Sequence, residues 1–184
     1  GADPALFEAR LAERDEVDAR RVAIGGASAG GGLAAGLALM ARDRGVVQPA
    51  LQLLTYPMLD DRTALRDDLD ERGYRLWNNV SNDYGWRSYL GVPPGSDGVS
   101  GHASPARCED LTGLPPAWVG VGTLDLFLDE DLAYAERLRS AGVPCRVEVV
   151  EGAFHAFDYL APGSSISRRF RDAQLDALAE AFRR

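Results

Sequence analysis

The chain has 184 residues, 46% of them hydrophobic, enough for one domain with a sizeable core. Its net charge of −8 argues against nucleic acid or a membrane surface as partner, because binding phosphates needs clustered Lys and Arg. Cys108 and Cys145 are the only cysteines, too few for a disulfide framework or a four-cysteine zinc site, so reduced thiols are expected. No apolar run approaches the roughly 20 residues of a membrane span, and the first twenty residues are charged rather than signal-like, which points to a cytoplasmic protein. The first residue is Gly rather than Met, which leaves the true N-terminus open.

Residues 3–20 carry Leu6, Phe7, Leu11 and Val17 among Glu, Arg and Asp, a pattern that predicts an amphipathic helix. Residues 21–44, RVAIGGASAGGGLAAGLALMARDR, read as strand, sharp turn and helix, with Val22-Ala23-Ile24 in the strand and an apolar stripe of Leu33, Leu37 and Met40 on the helix. At the turn Gly26-Ala27-Ser28-Ala29-Gly30 forms a G-x-S-x-G pattern. Such an elbow holds a serine in a strained backbone, and only small neighbours let strand and helix approach. With 20 glycines in the chain the bare pattern is weak, but its position between a buried strand and a helix is the setting the motif requires. A phosphate-binding P-loop would need a Lys after its last glycine, and none is there. Residues 50–56 then predict a second buried strand stopped by Pro57, and strand, helix, strand implies a right-handed crossover in a parallel sheet.

Residues 60–104 break this rhythm and read as a helical insertion followed by a long loop. Its aromatics Trp77, Trp86 and Tyr89, with Tyr84, either pack on the body of the domain or line a substrate pocket. His102, in the loop, reads as an ordinary surface residue. Residues 117–123 predict a third strand that runs into Asp125, and residues 130–141 a helix burying Leu132, Ala135 and Leu138. Residues 145–151 predict a fourth strand leading to His155. A last helix over 165–183 should bury Phe170, Leu175, Leu178 and Phe182.

A serine hydroxyl is a poor nucleophile until a base takes its proton, and the usual base is a histidine oriented by a carboxylate. Ser28, Asp125 and His155 each follow a predicted strand, and the crevice of an open parallel sheet lies beyond its carboxyl ends. Their order, Ser then Asp then His, suits the elbow. Asp125 could instead cap the following helix, with Asp129 or Asp158 as the acid. The N–H of Ala29, at the helix start, would point to where a carbonyl oxygen becomes negative during attack.

The stretches at 25–31 (GGASAGG), 102–145 and 152–157 (GAFHAF) resemble the hormone-sensitive-lipase-like branch of the α/β-hydrolases, the bacterial carboxylesterases, and the similarity runs from residue 5 to the last. The resemblance implies a mostly parallel sheet flanked by helices. Ser28 matches the family nucleophile, Asp125 the acid of its D-P-L segment, His155 the base of its H-G-F segment and Ala29 the oxyanion donor. It also implies hydrolysis of small-molecule carboxylic esters with short or medium acyl chains, with no cofactor or metal. Ala27 departs from the polar residue usual in the family. The family's H-G-G-G segment, whose glycines complete the oxyanion hole, is absent, as are the lid and the N-terminal half of the family's sheet.

The expectation is therefore a partial α/β-hydrolase, a serine carboxylesterase by type but a poor one as it stands. A non-catalytic ligand-binding protein on the same scaffold is the alternative. The family's strand order would leave residues 21–26 as an unpaired edge, to be covered by the missing N-terminal segment or by a second copy of the chain.

Overall fold

The computed structural model describes residues 14–45 and 47–183. Its four strands, β1 (Ala23–Ala27), β2 (Leu51–Thr55), β3 (Ala117–Leu124) and β4 (Cys145–Phe154), form one sheet in that order, every pair parallel. Each parallel step needs a crossover. These are supplied by α1 (Ala29–Arg44), by the 60–104 stretch containing α2 (Asn79–Leu90), and by α3 (Leu128–Ser140). The short α4 (Phe157–Leu160) and the longer α5 (Ser165–Ala181) complete the chain. One apolar cluster joins the strands to α1 and α3 through Leu39, Leu54, Val119, Tyr134 and Leu138; another joins them to α5 through Leu51, Trp118, Val121 and Phe170. Both sides of the central strands β2 and β3 are thus covered, as a parallel sheet demands, while β4 at the edge stays largely part-exposed.

Several expectations need correction. Most of the helix predicted over 3–20 lies outside the described residues, and within them residues 14–17 are turn and bend, followed by a 3-10 turn at Ala19–Arg21. The Asp18 carboxylate accepts the N–H of Arg20, and this local bond starts the tight turn. In α1 the predicted stripe is only partly inward. Leu33 is 55% exposed and Leu37 and Met40 are half-buried, Leu37 against the core, whereas Gly31, Gly32, Ala34, Ala35, Ala38 and Ala41 are buried. The helix lies so close to its neighbours that a Cβ on Gly32 would overlap the carbonyl oxygen of Met58, and one on Gly36 that of His102. Apart from Leu39, which reaches the core, close approach rather than side-chain bulk selects its inward face.

Leu132 and Leu175, predicted inward, are also exposed, and Phe182 is half-buried beneath the Arg21 guanidinium, which lies 5.7 Å from its ring centroid. β4 runs three residues beyond its predicted end at Glu151. Gly152 has φ 71°, and its N–H donates to Thr123 Oγ1 at 2.8 Å, so the glycine marks an irregularity in the β3/β4 ladder rather than a stop. β1 pairs on one side only among the described residues, with β2.

Candidate active site

Ser28 follows β1 directly, with φ 58° and ψ −125°, a backbone conformation that costs a non-glycine residue about 1–3 kcal/mol. Its surroundings hold it there. The N–H of Ser28 donates to Thr55 O at 2.9 Å, and its carbonyl accepts from Gly31 and Gly32 at the helix start and from the N–H of Met58 at 3.0 Å. A Cβ on Gly26 would overlap the backbone of Gly30, and one on Gly31 would lie 2.8 Å from Pro57. Gly30 itself faces open space, so the second glycine of the pattern is not sterically required; Gly26 and Gly31 are.

The sheet brings two more of the singled-out residues to this point. Asp125 leaves the end of β3 and His155 the end of β4, which is where the strand register places neighbouring C-termini. His155 Nδ1 lies 2.9 Å from Asp125 Oδ2, and His155 Nε2 lies 2.9 Å from Ser28 Oγ. Both Asp125 and His155 are buried. The other oxygen of Asp125 accepts the N–H of Phe127 at 3.1 Å, a second bond that orients the carboxylate. With Nδ1 donating to the carboxylate, Nε2 presents its lone pair to the serine hydroxyl.

The two alternative acids are engaged elsewhere. Asp129 is exposed and pairs with Arg66 at 2.6 Å, while Asp158 accepts the phenol hydrogen of Tyr56 at 2.9 Å. His102 is exposed and bonds Asp43 at 2.8 Å. Three rings pack on the imidazole of His155: Tyr56 with centroids 4.8 Å apart, Phe127 at 5.3 Å and Trp77 at 6.3 Å. None of these contacts was singled out from sequence. Tyr56 could have been, because it sits one residue past β2, at the sheet end where the other site residues gather.

A cleft of about 170 Å³ opens beside Ser28, with Ala29, Gly32 and Leu33 on one side and Met58, Trp77, Trp86 and Tyr89 on the other. Trp86 is buried in an apolar cluster with Met58, Leu126 and Phe127 and also lines the cleft; Tyr89 lines it while 51% exposed. For Trp86 packing and pocket lining thus coincide. Ala29 is the first residue of α1, and an N–H at that position has no acceptor within its own helix.

Behind the acid loop, Glu130 is buried. Its Oε1 accepts the N–H groups of Leu59 (2.7 Å) and Asp60, and its Oε2 bonds Thr63 Oγ1. Burial outweighs these bonds and pushes its carboxyl up to about 8. Asp131 beside it is also held well above the usual range, first by burial and then by the nearby Glu130 and Asp125. Among the described residues no group of three His, Cys, Asp or Glu side chains is placed to hold a metal ion, and no helix is long and apolar enough to cross a membrane.

Residues 5–159 match the model of a family described as having the alpha/beta hydrolase fold. The chain belongs to the α/β-hydrolase family. Among curated proteins, this α/β-hydrolase is similar to the carboxylic ester hydrolase LipN of Mycobacterium tuberculosis, with 35% identity over 74% of this chain and 37% of the relative. It is likewise similar to an arylesterase of Saccharolobus solfataricus, with 35% identity over 77% of this chain and 45% of that protein. Among solved structures a bacterial heroin esterase superposes with a TM-score of 0.87 and 38% identity, covering 98% of this chain and 57% of that one. This α/β-hydrolase chain therefore spans less than half the length of these two curated relatives.

Proposed function

We propose that this chain carries the nucleophile, base and acid of a serine esterase that cleaves carboxylic esters through an acyl-enzyme. The observation that carries the reading is the continuous relay from Asp125 through His155 to Ser28, two 2.9 Å contacts on a buried imidazole. His155 would take the serine proton as Ser28 Oγ attacks the ester carbonyl. The imidazolium that forms would be held by Asp125 and would then protonate the leaving alcohol. Water, activated by the same imidazole, would release the acid. The N–H of Ala29 would donate to the oxyanion, favoured by the helix N-terminus behind it.

The apolar cleft lined by Trp77, Trp86 and Tyr89 suits a short or medium acyl chain, and the 60–104 segment that supplies these three residues would form its wall. The esterase names of the relatives support the same chemistry. The reading is tested by treating the protein with a fluorophosphonate and mapping the label. Label on Ser28 that is lost in Ser28→Ala is expected; label on another serine overturns the assignment, and no label overturns it and leaves a non-catalytic ligand-binding role on this scaffold.

A further inference from the structure

We propose that Tyr56 is a positioning residue for the Ser28 and His155 pair, acting through its bond to Asp158. The proposal rests on the esterase reading above. Tyr56 has φ 35°, a left-handed backbone that a bulky residue adopts at a cost of about 1–3 kcal/mol. It is almost wholly buried, and what it touches explains why a tyrosine stands there.

The backbone of the 55–58 segment holds the nucleophile. Thr55 O accepts the N–H of Ser28, and the N–H of Met58 donates to Ser28 O. Tyr56 lies between these two anchors, and its own N–H is fixed to Gly120 O at 2.6 Å. Its side chain reaches the other partner. The ring stands edge-on to the His155 imidazole, with centroids 4.8 Å apart at 65°, and is backed by Phe170 at 6.4 Å. The phenol donates to Asp158 Oδ1, the third residue after His155 and the second of α4. One residue therefore fastens the elbow that carries the serine to the turn that carries the base.

That turn needs fastening. Ala156, the residue after His155, itself has φ 58°, and α4 is a single turn of helix. Burial, together with the neighbouring Asp158 carboxylate, holds the Tyr56 phenol well above its usual range, so it remains a donor at every pH of interest. Without the bond the imidazole keeps its ring contacts but loses a fixed distance to Ser28. Displacements of about 1 Å at a reacting pair cost up to the order of a hundredfold in rate.

The test compares Tyr56→Phe, Asp158→Ala, Asp158→Asn and the Tyr56→Phe/Asp158→Ala double variant in the full chain. Tyr56→Phe keeps the ring and its packing and removes only the hydroxyl. Asp158→Asn keeps an oxygen that accepts. Expected is a drop of roughly ten- to a hundredfold in kcat for Tyr56→Phe and Asp158→Ala with KM within about twofold, no further loss in the double variant, and recovery of most of the rate in Asp158→Asn. A second readout does not need turnover. The chain has two histidines, His102 and His155, so nitrogen-15 histidine NMR resolves the ring directly. Tyr56→Phe and Asp158→Ala should broaden or double the His155 signals and leave those of His102 unchanged. A Tyr56→Phe protein with unaltered His155 signals overturns the proposal, as does an unaltered kcat. Failure of the wild type to label at Ser28 would instead overturn the esterase reading, and the NMR comparison would still decide the positioning role.

Discussion

Ser28 Oγ and His155 Nε2 meet at 2.9 Å although 127 positions of sequence separate them. Two parallel strand ends and one strained elbow produce that contact, and neither residue has a use for it without the other. Residues acting as a unit give strongly non-additive losses. Ser28→Ala and His155→Ala should each remove nearly all ester hydrolysis, and the double variant should be hardly worse than either single one. Additive losses in the kcat/KM of the three variants would show that they do not share a step.

The second prediction concerns the oxyanion. The chain's two histidines, His102 and His155, both follow Ser28, so no H-G-G-G segment precedes the elbow in this sequence. On the esterase reading, Ala29 would be the backbone donor that the residues around Ser28 supply. Removal of one oxyanion donor costs on the order of 10²–10³ in kcat, so this 184-residue chain should turn over p-nitrophenyl esters of short acids very slowly. Brisk turnover by the purified chain would mean that another group stabilises the oxyanion.

These features were not equally legible in the sequence. The elbow, Asp125 and His155 could be found because each obeys a local rule: a small-residue turn, or a polar residue just past an apolar strand. The inward face of α1 could not, because hydrophobic periodicity weights Leu33, Leu37 and Met40 and is blind to a face chosen by how near two backbones come, as Gly32 and Met58 do. The partner of Asp158 was hidden for a different reason. Its bond to Tyr56 links residues far apart in the chain, and no spacing announces it.

A third prediction follows from Glu130, whose buried carboxyl is raised from 4.5 to about 8 in the folded protein. In the unfolded chain it would titrate near its ordinary value. Below about pH 4.5 both states hold the proton and stability is at its highest; from there to about pH 8 only the folded state does, so stability falls as pH rises and levels off above. The shift corresponds to a few kcal/mol. Glu130→Gln keeps an acceptor for the Leu59 and Asp60 N–H groups and a polar neighbour for Thr63 Oγ1 without the titration. Urea midpoints measured at pH 5 and pH 9 should therefore fall less in Glu130→Gln than in the wild type, and the variant should be the more stable at pH 9. Parallel losses in both proteins would show that Glu130 is ionised throughout.

The last prediction concerns the outer edge of β1. Among the described residues this strand pairs only with β2, and its sequence, AIGGA, carries neither the proline nor the charge that guards exposed edges. The neighbouring surface is apolar too. The exposed Leu33 and the half-buried Leu37 and Met40 of α1 border a groove with Ile24, Gly25 and Tyr89 of about 490 Å³. An unpaired edge beside an apolar groove is a template for adding a strand whose side chains fill the groove. We expect that place to be occupied in solution by a second copy of the chain when the 184-residue protein is prepared alone, and by a preceding segment where one is present in the native product. Light scattering on the isolated chain should report a dimer or larger species, with the amides of residues 23–27 protected from exchange. Leu33→Glu, which puts a carboxylate into the groove from an already exposed position, should shift that species toward monomer while costing little folding stability. A stable monomer whose 23–27 amides exchange freely on the outer side would defeat the prediction, because the edge would then be tolerated bare.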